Sequence, residues 1–176
     1  FFNPYYGGDF MNQKEFRVYN MILPIWLLLW FPSPLWLLLI PANFLLDLLV
    51  MWLSIRKEEN GFAVAWKNSG KICIAGFVSD FIGMLILFGT YFWSGNVEAF
   101  EKFNYALVFN PFKHAGVVVV ILISIIVSGI CIYKLDKRIL RKSGELSEEL
   151  IHKTALRLAI LTAPYLYFLP VGWFYN

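Results

Sequence analysis

Residues 18–55 carry one charged side chain, Asp47, and residues 72–97 carry one, Asp80. A helix needs about 20 apolar residues to cross a hydrocarbon core of about 30 Å, because each residue rises about 1.5 Å. Stretches this long and this poor in charge place the chain in a bilayer. Composition agrees. Charged residues make up 15% and hydrophobic residues 59%, with a mean hydropathy of +0.63, against about 25% charged in a typical soluble domain. The expected fold is an all-α integral membrane protein, a bundle of about five transmembrane helices.

The apolar segments are residues 16–31, 35–55, 72–93, 113–133 and 155–174. The first is short, and Pro32-Ser33-Pro34 forces a turn after it, so 16–55 reads as a helical hairpin. Residues 1–15 form an N-terminal cytoplasmic segment, in which 1–10 precede Met11 and read as an upstream remnant. Residues 16–176 form a single polytopic membrane domain.

Lysine and arginine crowd cytoplasmic flanks. With the N-terminus inside, the inner regions hold Lys14, Arg17, Arg56, Lys57, Lys67, Lys71, Lys134, Lys137, Arg138, Arg141, Lys142, Lys153 and Arg157, and the outer side only Lys102 and Lys113. The C-terminus is then outside. Trp30, Trp36, Trp93 and Trp173 fall at the outer headgroup level and Trp52 at the inner one. A multi-pass protein of the plasma (inner) membrane is expected. The loop 94–112, rich in Phe and Tyr, is expected to lie on the membrane surface or cap the bundle. Ser143-Gly144 should end the fourth helix, and Ser147 should cap the last one, with Glu148 and Glu149 in its first turn.

A carboxylate in hydrocarbon is expensive, so an intramembrane acid marks a candidate functional site. Counted from inner ends at Ile55 and Ile72, Asp47 and Asp80 fall at one depth near mid-bilayer and can face each other. Asn43 lies one turn from Asp47, and Ser79 adjoins Asp80. Gly76 and Gly83 flank Asp80 with a groove that admits another backbone. Pro41 deprives the Leu37 carbonyl of its helical donor. Thr162, Pro164, Tyr165 and Pro170 suggest a kinked last helix that turns hydroxyls inward. Ser124 and Ser128 read as a packing face. No Lys, Arg or His falls at this depth. The acids are therefore protonated, share a proton, or hold a cation.

The candidate ion, proton or substrate site is Asp47, Asp80, Asn43, Ser79, Tyr165 and Thr162. The first functional reading is a proton- or cation-linked transporter or channel component. The second is a non-catalytic membrane anchor or assembly subunit of a larger complex. The third is an intramembrane enzyme of aspartyl type. For that, Phe77-Val78-Ser79-Asp80 lacks a Gly-x-Gly-Asp pattern and Leu46-Asp47-Leu48 lacks a preceding Tyr, so an enzyme ranks last. No cofactor is expected. Cys73 and Cys131 read as small buried residues with no CxxC pattern. Partners are the lipid bilayer and either further copies of the chain or other membrane subunits. A basic face on a soluble module is missing, which argues against nucleic acid.

Overall fold

A computed structural model of the chain describes residues 36–95 and 97–171. The predicted first segment, the turn at Pro32-Pro34 and Trp173 lie outside the described residues. The elements are α1 (Trp36–Ile55), α2 (Gly61–Ser94), α3 (Glu101–Phe109), α4 (Ala115–Ser143) and α5 (Glu148–Leu161). Short 3-10 turns follow at Glu98–Phe100, Pro111–Lys113 and Tyr165–Phe168. There is no strand among the described residues. Helices α1, α2 and α4 are each long and apolar enough to cross a membrane, which makes this a membrane protein.

α1 has 20 residues, about 30 Å, one membrane thickness. α2 is longer than its apolar stretch. It starts at Gly61, next to the α1 terminus, and runs 34 residues, about 51 Å. Its first three turns, which carry Lys67 and Lys71, precede its apolar stretch. α4 likewise continues past Tyr133 to Ser143 and stops where Gly144 takes φ 69°, a left-handed conformation that glycine adopts without steric penalty. Ser147 caps α5, its hydroxyl accepting from the Leu150 amide at 3.4 Å. Both helix boundaries match the sequence expectation.

The last predicted segment does not form one membrane-crossing helix. α5 has 14 residues, about 21 Å, and ends at Leu161. The Thr162 amide closes the last turn on the Leu158 carbonyl at 2.9 Å. Pro164 has no amide hydrogen, and its ring pushes the preceding residue out of the α region. The chain resumes as the 3-10 turn Tyr165–Phe168.

α1 packs on α2 and α5, and α4 packs on α2 and α5, giving a four-helix ring. Two apolar clusters fill it. One, toward the end holding the 56–60 and 144–147 connections, includes Met51, Ile55, Ile72, Ile132, Leu140, Ile151 and Leu158. That end carries most of the basic residues and is called the basic end. The other cluster includes Met84, Leu87, Ala106, Leu107, Val117, Ile121 and Tyr167. There α3 closes the bundle through Ala106 and Leu107, as the aromatic loop was expected to do. A polar layer separates the clusters, since Gly76, Ser79 and Asp80 lie between Ile72 and Met84, Ser128 between Ile125 and Ile132, and Thr162 between Ala159 and Ala163.

Candidate functional site

Asp47 is 1% exposed on α1. Its carboxylate sits over Gly76 of α2, where an added Cβ would stand 4.0 Å from Asp47 Oδ2 and 3.7 Å from the Asn43 amide nitrogen. These are ordinary van der Waals distances, so the pair packs directly on the bare backbone of Gly76. The Thr162 hydroxyl, just past the end of α5, lies beside the Asp47 carboxyl and donates to the Leu158 carbonyl at 2.9 Å. The Asn43 amide also reaches Cys73 Sγ at 4.0 Å, a weak contact.

Asp80 is not level with Asp47, contrary to the sequence expectation. Because α2 begins at Gly61 and not near Ile72, Asp80 lies far along its helix. The Asp47 carboxylate meets α2 at Gly76, one turn, about 6 Å, nearer the basic end. The two acids are staggered yet close enough to interact electrostatically. The Asp80 backbone carbonyl accepts from the Tyr167 hydroxyl at 2.6 Å, which ties the segment after α5 to the centre of α2.

A cavity of about 630 Å³ opens beside this layer. Its walls are largely apolar and aromatic, with Phe77, Phe112 and Tyr165 among them, and its polar groups are Asn43, Asp80 and Thr162. Among the described residues none of its lining side chains is basic. The broken stretch Thr162–Pro164 forms one wall. Irregular backbone at membrane depth is tolerated only where it is buried in protein or lines a water-filled cavity; here Thr162, Ala163 and Pro164 are buried and border the cavity.

The structure brings together four of the six expected site residues, Asn43, Asp80, Thr162 and Tyr165, around the cavity, with Asp47 against Asn43 and Thr162 behind it. Tyr165 is half exposed and donates to the Ile160 carbonyl at 2.6 Å, so it braces the end of α5. Ser79 does not join the site. Its hydroxyl returns to the Ala75 carbonyl at 2.8 Å, and its own carbonyl accepts from Ser128 at 3.0 Å. The role of Gly83 is packing, since an added Cβ would strike Ser128 Oγ and come within 3.1 Å of the Ser124 carbonyl.

A third acid belongs to this set. Asp136 on α4 is 0% exposed and interacts electrostatically with Asp47. It is eight residues, about 12 Å, closer to the basic end than Ser128. Asp47 is thus the middle member of a column running Asp80, Asp47, Asp136. A sequence signal for it existed. Ser128, Ile132, Asp136 and Leu140 repeat every four residues, which is one helical face, while Lys134 and Arg138 fall on other faces. Extending α4 to Ser143 for its terminal cations, as the sequence suggests, leaves this face unweighed.

Oδ2 of Asp47, Oδ1 of Asp80 and both carboxylate oxygens of Asp136 are buried without a hydrogen-bond partner among the described residues. The ion pairs found there, Lys67–Glu145, Arg141–Glu148 and Lys153–Glu149, all lie at the basic end and touch none of the three aspartates. No described group of three acidic, histidine or cysteine side chains is placed to hold one metal ion.

No known protein family, curated protein or solved structure matches this chain.

Proposed function

We propose that this protein is a proton- or cation-linked transport component whose path runs through Asp47 and Asp80. One observation carries the reading: α5 stops at Leu161, level with the polar layer between the two apolar clusters, and its carbonyl end meets Asp47, Asp80 and Asn43 at a cavity. The C-terminus of a helix carries partial negative charge. Adding carboxylates to it without a countercharge favours a positive occupant or bound protons. Discontinuous helices whose freed carbonyls and C-terminal ends coordinate coupling ions are a recurring transporter device. At 176 residues the chain is small for a repeat-built carrier, so the proposal includes assembly with further copies or other subunits.

The proposed orientation puts the basic end in the cytoplasm of a plasma membrane, supported by the lysines and arginines on the 56–71 and 134–153 regions. The test is proton and monovalent-cation flux in proteoliposomes, with wild type against Asp47→Asn and Asp80→Asn. Flux lost in both variants, with folding unchanged, is the expected result. Absence of flux in a well-folded wild type would sink the reading.

The second reading is an assembly subunit. An apolar groove of about 720 Å³ between α1 and α2, bordered by Trp36, Pro41, Phe44, Gly70 and Phe77, supports it, because small residues and a broad apolar seat suit a partner helix. Co-purification of a stoichiometric membrane partner, lost in Gly70→Leu, would move the assignment there. The aspartyl-enzyme reading stays third, on its missing motif residues.

A further inference from the structure

We infer that Asp136, with Thr154 of α5 as a second buried polar group at that end, is a proton-binding station at the basic end that exchanges protons with Asp47. The inference rests on the transport reading and adds to it the entry half of the path.

Packing does not account for these two residues. Asp136 and Thr154 are both fully buried, and Asp136 occupies a face whose neighbours one turn away, Ile132 and Leu140, belong to an aliphatic cluster with Met51, Ile151 and Leu158. A leucine would fill such a place without leaving polar atoms behind. Instead both Asp136 oxygens and Thr154 Oγ1 lack a partner among the described residues. A buried carboxylate without a partner costs several kcal/mol. A local ion pair is not the answer either. Lys134 and Arg138 are exposed on other faces, and Lys137 points to the Tyr133 hydroxyl at 3.2 Å. The Tyr133 contact with His152 sets the register of α4 against α5, with Thr154 two residues farther from the basic end than His152 and Asp136 three residues nearer it than Tyr133, an offset of about 7.5 Å along the axis.

The groups facing Asp136 are few. α1 presents Asp47. On α5 the buried polar side chain at this end is Thr154, with His152 turned outward against Tyr133. At this end the buried face of α2 offers the uncharged Asn68 and Ser69, whose side chains are committed to Val64, Glu145 and Ala65. Among the described residues no cation neutralises the acid, so a proton is the natural occupant. A proton from water at the basic end binds an Asp136 oxygen, moves to the Asp47 carboxylate and leaves Asp136 ionised for reloading. Thr154 can accept and donate at once, so it can hold a bridging water. From Asp47 the proton passes one turn on to Asp80 at the cavity.

The test joins flux to a readout independent of transport. Infrared spectra of the full chain in liposomes, wild type minus Asp136→Asn, report the Asp136 carboxyl, and transfer to D2O reports its access to water. The expected results are a protonated-carboxyl band that shifts promptly in D2O, a flux at least tenfold lower in Asp136→Asn, and partial recovery in Asp136→Glu. A band that does not exchange, or Asp136→Asn flux equal to wild type, overturns the station. If Asp136→Asn keeps its flux while Asp47→Asn has none, only this inference fails. If the wild type has no flux at all, the transport reading fails, and the D2O shift alone decides whether Asp136 is a water-accessible acid.

Discussion

The seam between α2 and α4 and the acid column beside it bury similar amounts of polarity under opposite rules. In the seam every polar group has an assignment. Ser79 bonds within its helix, Ser128 bonds across to the Ser79 carbonyl, Gly83 lets the two backbones meet, and Tyr167 closes on the Asp80 carbonyl. In the column, Asp47, Asp80 and Asp136 leave oxygens without partners. Buried polar groups in folded proteins are nearly always satisfied, and exceptions call for an explanation. The contrast within one small bundle says that the chain can satisfy buried polarity and, along the column, does not. On the proposed transport reading, those oxygens are where a proton or cation would bind.

Substitutions should separate the two regions. The largest effect is expected from Asp47→Asn, which keeps shape and removes charge. Proteoliposome flux should fall at least tenfold, and the thermal midpoint in detergent should stay within a few degrees of wild type. A column that is merely structural would give the reverse, intact flux with a lowered midpoint. Next is Gly83→Val in the seam. Its Cβ would collide with Ser128 and press on the Ser124 carbonyl, and overpacking of this kind typically destabilises by about 1–3 kcal/mol. Denaturation should show that loss, with flux per folded molecule preserved. A smaller change is expected from Ser128→Ala, about 0.6 kcal/mol for a hydrogen bond between membrane helices. Thr162→Val should do the opposite, lowering flux with almost no change in stability.

Much of the bundle was legible in the sequence because hydrocarbon imposes a strict rule on composition. Apolar runs marked α1, α2 and α4, Gly144 marked a helix end, and Ser147 a helix start. Charge content marked Asp47 and Asp80. Two things were hidden for a shared reason: a run of apolar residues shows where lipid begins and not where a helix does. α2 starts eleven residues before its apolar stretch, which moved Asp80 out of register with Asp47. α4 runs ten residues beyond Tyr133, which carried Asp136 onto a buried face. The break after Leu161 was hidden differently. Proline kinks and proline breaks look alike in sequence, and the outcome depends on whether a cavity is there to receive the freed backbone.

The smallest predicted effect lies outside the membrane layer, where the comparison is sharpened by a charge that does have partners. Glu145 accepts from Lys67 at 2.6 Å and from Asn68 at 3.2 Å. The Lys67 hydrogen bond, foremost, holds its carboxyl below the ordinary carboxylate value. A carboxyl lowered by folding contributes stability above its unfolded pKa and loses that contribution as pH falls through the lowered folded value. Lys67 is largely exposed, so solvent screening limits the pair to less than about 1 kcal/mol. Lys67→Ala should therefore lower the thermal midpoint slightly at neutral pH. Its melting curve should converge on wild type once Glu145 is protonated in acid. A difference that persists unchanged at low pH would assign the effect to the uncharged stem of Lys67 on α2, and the pair would then contribute nothing measurable as a charge interaction.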